Sequence, residues 1–404
     1  MPSSEHQVDD ATELPLHGLP VVKPAPGPSL LGGIRVVDLT TSIAGPYASM
    51  LLGDFGAEIV KVERPEGDDA RGWGPPFLDG ESLWFAAVNR NKKSVVLDLG
   101  DENDRARLRR LVATADVFIT NQPPSVQKKL GLDHETIRAI REDIVFTSIT
   151  GFGLEGERAD LTCYDLIAEG YSGVMDLTGA AGGAAQKIGA PAADMLAGQD
   201  AAMATMAALY ERAQSGIGRR IDVSLVESMT RFLSCRLVSY LGSGEIPTRS
   251  GGTDSVIAIY QAFETADEPL TLGLGNDAIW RRFWEAVGDA DYAARPEFSS
   301  NALRRQHRAA IVERIQGILK TAPRDRWLAL FARKRVPAGP INGADAVAAD
   351  AELQRRGLFY ALDDNGRLVP QVGLGIRIDG AAATARSAPP ALGEHSDELL
   401  SFRE

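Results

Sequence analysis

Cysteine, histidine and positive charge are all scarce in this chain of 404 residues. Two cysteines, Cys163 and Cys235, cannot build a disulfide framework or a cysteine-rich zinc module. The five histidines (His6, His17, His134, His307 and His395) form no ligand-spaced pair, so no metal site is expected. Lys and Arg total 43 against 55 Asp and Glu, a net charge of -12. Such a chain is a poor general binder of nucleic acid or anionic membrane, and neither is expected as a partner. Any phosphate it holds needs a local basic pocket. The longest apolar helical stretch, around 201–210, is too short to cross a bilayer. The N-terminus has no basic start and no apolar h-region, and the expectation is a cytoplasmic protein. Nucleotide fingerprints are missing too. The turn after the first predicted strand, TTSIAGPYASM, lacks GxGxxG, and neither GxxxxGK[ST] nor GxSxG occurs. Gly151, Gly153 and the glycines of 179–183 read as turns at element ends.

What is present is globular: 44% hydrophobic and 24% charged residues, in a length that fits about two domains. Residues 1–30 are rich in Pro, Ser, Gly and acid and predict a tail or strap. An αβ rhythm follows. Strands are predicted at 34–40, 57–64, 94–99, 116–120, 144–150 and 218–225. Helices are predicted at 45–56, 103–114, 135–141, 165–177 and 195–213. Strands alternating with helices predict a parallel sheet with helices packed on it. Residues 253–334 change character, to a hairpin and then Arg-rich helices, and predict a smaller domain. At 336–340 the chain is expected to turn back. The predicted organisation is a large domain from 31–225, a small domain at 226–335, and a linker and return at 336–404.

Three segments, taken in order, are not generic. The first is Ile34-Arg-Val-Val-Asp-Leu-Thr, Ala44-Gly45-Pro46 and Leu52-Gly53-Asp54-Phe55-Gly56-Ala57-Glu58, running to Arg64-Pro65 and Asn89-Arg-Asn-Lys-Lys-Ser-Val-Val-Leu-Asp98. The second is Gly189-Ala-Pro-Ala-Ala-Asp194-Met-Leu-Ala-Gly198. The third is Val336-Pro-Ala-Gly-Pro340, closed by Leu392-Gly-Glu-His-Ser-Asp397. In this order they resemble the family III CoA-transferases, a group that includes formyl-CoA transferase, carnitine CoA-transferase and α-methylacyl-CoA racemase. The resemblance runs from about residue 30 to the end. It implies an α/β fold with a large Rossmann-like domain formed by both chain ends, a small inserted α+β domain, and an interlocked homodimer. It implies acyl-CoA and a small carboxylic acid as substrates, with coenzyme A thioester as substrate and no permanently bound cofactor.

The family's catalytic aspartate falls on Asp194. By local reading, Asp194 is an N-cap whose carboxylate accepts amide bonds from the first helical turn. A helix N-terminus stabilises an ionised carboxylate, and such a carboxylate can be a covalent nucleophile. The resemblance implies CoA contacts at Ile43, Ala44, Arg64, Arg71, Lys92, Lys93, Leu97, Asn121, Lys129 and Tyr164. It places a mobile substrate loop at Gly251, Gly252 and Thr253. There are departures: Ile43 and Thr253 stand where the formyl-CoA enzymes carry glutamine, and Asn121-Gln122-Pro123 alters the expected adenine wall. The racemase branch needs a histidine partner for the aspartate, and Tyr164 stands in its place, which favours transfer. Asp165 is left as a second carboxylate or a helix cap. The expected function is CoA transfer through an aspartyl anhydride and an aspartyl-CoA thioester. A racemase-type epimerase and a non-catalytic CoA binder are the alternatives.

Overall fold

The structure, a computed structural model, describes residues 14–27 and 29–401. Of the tail or strap predicted over 1–30, residues 1–13 and 28 lie outside the described residues. Six strands build the main sheet: β1 (Arg35–Leu39), β2 (Glu58–Glu63), β3 (Lys92–Val96), β4 (Val117–Thr120), β5 (Val145–Thr150) and β6 (Arg220–Ser224). Their order across the sheet is β3-β2-β1-β4-β5-β6, and every pairing is parallel. The middle strands are buried along almost their whole length, as a parallel sheet covered on both faces requires. The order is that of doubly wound sheets, which bind ligands where strand order reverses, here between β1 and β4.

The helices of this part are α1 (Ala44–Asp54), α2 (Glu102–Ala113), α3 (Pro124–Leu130), α4 (His134–Ile140), α5 (Asp165–Ser172), α6 (Ala192–Ser215), α7 (Leu225–Phe232) and α8 (Ser234–Ser243). On one face of the sheet Val37, Val60, Phe118 and Phe146 pack with Leu108, Leu111 and Val112 of α2 and Ile137 of α4. On the other, α1 packs on α6 at Gly198, where a Cβ would fall 2.5 Å from the Ala44 carbonyl oxygen. The absent side chain is what lets the two helices approach.

Three local expectations need correction. The strand predicted at 94–99 runs instead over Lys92–Val96, because Lys92 and Lys93 pair with Ile59 and Val60 of β2. The helix predicted at 165–177 breaks at Gly173, whose φ is 87°. The helix predicted from Met195 begins three residues earlier, after Pro191, which supplies no capping side chain. The chain divides into two compact units. The first holds the sheet and comprises residues up to Val174, Lys187–Ser243 and those from Val347 onward. In it, β-strands Phe359–Asp364 and Arg367–Val372 form a hairpin, and Val21–Val22 pairs in parallel with the former. The C-terminal return docks on β3: the amides of Gly393 and His395 donate to the Oγ and carbonyl of Ser94, each at 2.9 Å.

The second unit comprises Met175–Gln186 and Gly244–Ala346, where the reading from sequence placed a small domain at 226–335. Its sheet is antiparallel, in the order Tyr260–Phe263, Leu270–Gly273, Ala338–Pro340. The segment expected to turn back at 336–340 is therefore the last strand of this sheet. Trp280, Phe283, Trp284, Ile311 and Phe331 form its core.

Candidate active site

Two cavities open at the carboxyl ends of the strands, at the point where the sheet order reverses. One, of about 500 Å³, is lined by residues including Arg64, Pro65, Leu97 and Leu99. The other, of about 200 Å³, is lined by residues including Ser42, Ala44, Asn121, Cys163, Tyr164 and Asp194. Thr41, Asp69 and Gln122 line both, which makes them one groove.

The turn after β1, residues 40–42, forms the floor between them. Ser42 has a φ of 72°, a conformation that costs a non-glycine residue energy unless its surroundings hold it. Asp68 holds it by accepting the Ser42 amide at 2.9 Å. Asn121 holds Thr41 from the other side: its Oδ1 accepts the Thr41 amide at 3.2 Å and its Nδ2 donates to the Thr41 carbonyl at 2.9 Å. Below the turn lies a buried ionic network. Lys61 Nζ donates to Asp68 and to the Thr40 carbonyl, both at 2.8 Å. Asp38 accepts from Thr40, Ser49 and Lys92. Glu63 accepts from Arg71 and Ser94. Burial pushes the carboxyls of Asp38 and Glu63 up, but these cations and hydroxyls outweigh it and hold both below their ordinary range. Burial lowers the ammonium of Lys92 to about 8.

Asp194 behaves in the opposite way. It is the third residue of α6, not its N-cap. The cap comes from elsewhere in the chain: Asp165 Oδ1 accepts the amides of Ala193 at 2.8 Å and Asp194 at 3.3 Å. Asp165 thus caps α6 rather than its own helix. The Asp194 carboxyl is left in the groove wall, and among the described residues no cation pairs with it. Burial, and then the charge of Asp165, push it up to about 7. Burial and these two carboxylates also push the Cys163 thiol up to about 11. Gly151 brings the segment that carries Cys163 close, because a Cβ there would sit 2.1 Å from the Cys163 Cβ.

Of the residues read from sequence, the structure brings Ala44, Asn121, Tyr164 and Asp194 to one end of the groove and Arg64 and Leu97 to the other. Tyr164 is 62% exposed. Arg64 lies on the wall, bonded to the Gly67 carbonyl at 3.0 Å and paired with Asp69. Ile43 is buried behind the groove, immediately before α1. Arg71 is taken up by Glu63 and the Pro390 carbonyl and stacks on Phe85 at 3.8 Å. Lys92 is wholly buried on Asp38, Asn89 and Pro46. Lys93 pairs with Glu58 and Glu398, and Lys129 is exposed in the last turn of α3. Arg71, Lys92, Lys93 and Lys129 line neither cavity. The two strand lysines open β3, so they lie at the end of the sheet away from the groove. Gly251, Gly252 and Thr253 belong to the second unit. Reading the sequence missed Thr41 and Ser42, and noted Gln122 only as a departure in the adenine wall. The available signal was position, since they follow β1 and β4, the two strands that flank the reversal.

A half-buried carboxylate with no cationic partner among the described residues, beside a groove at the switch point of a doubly wound sheet, suits an enzyme that exchanges acyl groups on a bound substrate. The sequence profile described as CoA-transferase family III matches residues 31–396. A succinate–glutarate CoA-transferase of Agrobacterium fabrum is 38% identical over 93% of this chain and 96% of its own length. A succinyl-CoA:mesaconate CoA-transferase of Haloarcula hispanica is 33% identical, over 92% and 95% respectively. The crystal structure of a CAIB/BAIF family protein from Brucella suis superposes with a TM-score of 0.82 at 38% identity, over 93% of this chain and 99% of that one. The chain belongs to the family III CoA-transferases. It is a CoA-transferase enzyme acting on acyl-CoA. Among the described residues no cluster of His, Cys, Asp and Glu is placed to hold a metal, and no helix is long and apolar enough to cross a membrane.

Proposed function

We propose that this enzyme moves CoA between two dicarboxylic acids, succinate and a second acid such as glutarate, with Asp194 as the covalent nucleophile. One observation carries the assignment: of the two acids that line the smaller cavity, Asp69 is paired with Arg64, whereas Asp194 has no cationic partner among the described residues and its proton affinity is raised to about 7. A carboxylate that is part-ionised and basic at neutral pH is a better nucleophile than one held at its ordinary value.

In the proposed sequence an Asp194 oxygen attacks the thioester carbonyl, the C–S bond breaks, and CoA leaves as thiolate. The mixed anhydride is then attacked at the Asp194 Cγ by that thiolate, which releases the donor carboxylate and leaves an aspartyl-CoA thioester. The acceptor carboxylate attacks the same carbon and displaces the thiolate. The thiolate attacks the acceptor carbonyl, giving the new acyl-CoA and the original carboxylate. No proton is gained or lost over the cycle, so no acid–base partner is required. The groove walls carry no histidine, in keeping with transfer rather than α-proton exchange. Arg64, Leu97, Thr41 and Gln122 are the proposed CoA contacts, and the loop 250–253 the proposed substrate loop. A homodimer is part of this reading. It is supported by α8, which buries none of its side chains and exposes Val238, Tyr240 and Leu241. Supply of acyl-CoA implies a cytoplasmic setting.

The test is incubation with succinyl-CoA and glutaryl-CoA, trapping with hydroxylamine or borohydride, and mass mapping. Modification at Asp194 with either donor supports the reading. Turnover without modification there, or α-proton exchange into heavy water in its place, defeats it.

A further inference from the structure

Behind Asp194 lies a side chain that the transfer steps leave unused. Glu169 sits one turn after Asp165 on α5 and has no exposed surface. Its Oε2 accepts the amide of Ile188 at 2.9 Å. Ile188 belongs to the short approach that leads into α6. Its Oε1 is buried without any hydrogen-bond partner in the protein. Asp165 stands one turn earlier on α5, four residues before Glu169, and its charge acts on the Glu169 carboxyl. Two facing carboxylates have only acceptors to offer each other, so the contact is stable only if one carries a proton. Asp165 is already committed as an acceptor, of two amides at the start of α6. The proton therefore belongs on Glu169. Burial, then Asp165, push the Glu169 carboxyl up, against the Ile188 amide and Lys187.

We propose that Glu169 is a positioning residue that keeps a proton, donates it to Asp165, and through Asp165 and the Ile188 amide holds the first turn of α6 and the Asp194 carboxylate in place. This rests on the assignment of Asp194 as nucleophile. The connection is short and continuous: Glu169 to Asp165, Asp165 to the amides of Ala193 and Asp194. The other charged or titratable groups around it are few. Lys187 lies on the approach, with its Nζ on the Ile188 carbonyl at 3.1 Å. Asp194 and Asp200 lie on α6, and Cys163 precedes α5. Helix α7, packed on α5, brings Glu227 and Arg231, of which Arg231 is paired with Asp200.

The test compares Glu169→Gln and Glu169→Ala in the full chain, with succinyl-CoA as the probe donor. Glutamine reproduces a protonated glutamate: its amide N–H donates to Asp165 and its oxygen accepts from Ile188. E169Q is expected to label Asp194 within about threefold of the wild-type rate. E169A is expected to be about 10- to 100-fold slower, with KM for succinyl-CoA little changed, because a hydrogen bond to a charged group is lost. A second readout stands even if E169A does not fold. Wild-type labelling should fall at alkaline pH as Glu169 loses its proton, and E169Q should lack that fall. E169Q as slow as E169A, E169A as fast as wild type, or identical alkaline profiles would each overturn the inference. Wild-type turnover without an Asp194 adduct would overturn the nucleophile assignment and this inference together.

Discussion

Beneath the turn at 40–42, Asp38 and Glu63 are buried carboxylates held below their ordinary range, whereas beside α6 the half-buried Asp194 and the buried Glu169 are carboxylates pushed above it. The residue types are the same. The difference is company. Lys61, Lys92 and Arg71 answer the first pair, and the nearest charge to the second is another carboxylate, Asp165. Burial alone disfavours a charge, and only a matched cation with satisfied hydrogen bonds reverses that. The first cluster is built to hold a strained turn still. The second leaves a carboxylate poised near neutrality, which a covalent nucleophile needs and a structural residue does not.

The contrast can be tested from both sides. The largest effect belongs to Asp194→Asn, which should lower transfer by about 1,000-fold or more and abolish the trapped adduct, measured by steady-state rate and peptide mass. Next is Lys61→Ala, which leaves the buried Asp68 without its cation. It should cost about 3–5 kcal/mol in denaturant unfolding, far more than a surface lysine. Gly198→Ala should follow at about 1–3 kcal/mol, because the methyl meets the Ala44 carbonyl and must part α1 from α6.

The two clusters should also respond to pH with opposite signs. Asp38 and Glu63 have depressed values, so their stabilisation is present above the unfolded carboxyl range and is lost as pH falls through their folded values. Asp194 is raised, so its favourable contribution is present below about pH 4 and is lost as pH rises to its folded value of about 7. Asp194→Asn should therefore raise Tm by a few degrees at pH 8 and leave it nearly unchanged at pH 4, by calorimetry. Labelling of wild-type Asp194 should fall as pH drops through about 7, as the nucleophile is protonated. The smallest effect is expected at Cys163. Its thiol is pushed up to about 11 and stays protonated at neutral pH, so Cys163→Ala should change the rate by about threefold at most, and iodoacetamide should react slowly.

Much of this arrangement was legible beforehand, and for reasons that can be named. Strands β4 (VFIT) and β5 (VFTSIT) are nearly continuous runs of β-branched and aromatic residues, because both faces of a parallel sheet are covered. Asp194 stood out through the segment around it. The lysines did not read correctly from sequence. Lys92 and Lys93 have the chemistry of phosphate contacts, but they open β3, and so sit at the end of the sheet opposite the groove. One is neutralised inside the sheet and the other on Glu58 and Glu398. Arg71 went the same way, to Glu63. The start of α6 was misplaced because its cap is supplied by Asp165, a residue outside the local window in which caps are read.

Composition, strand pattern and the order of three segments determined the fold class and the family, because these properties depend on which residues occur and how they are spaced. The burial of each carboxylate, the fate of each basic side chain and the surroundings of Glu169 were decided only by the tertiary structure. They depend on distances and burial between residues far apart in the chain, and a buried charge takes its state from its neighbours rather than from its own chemistry.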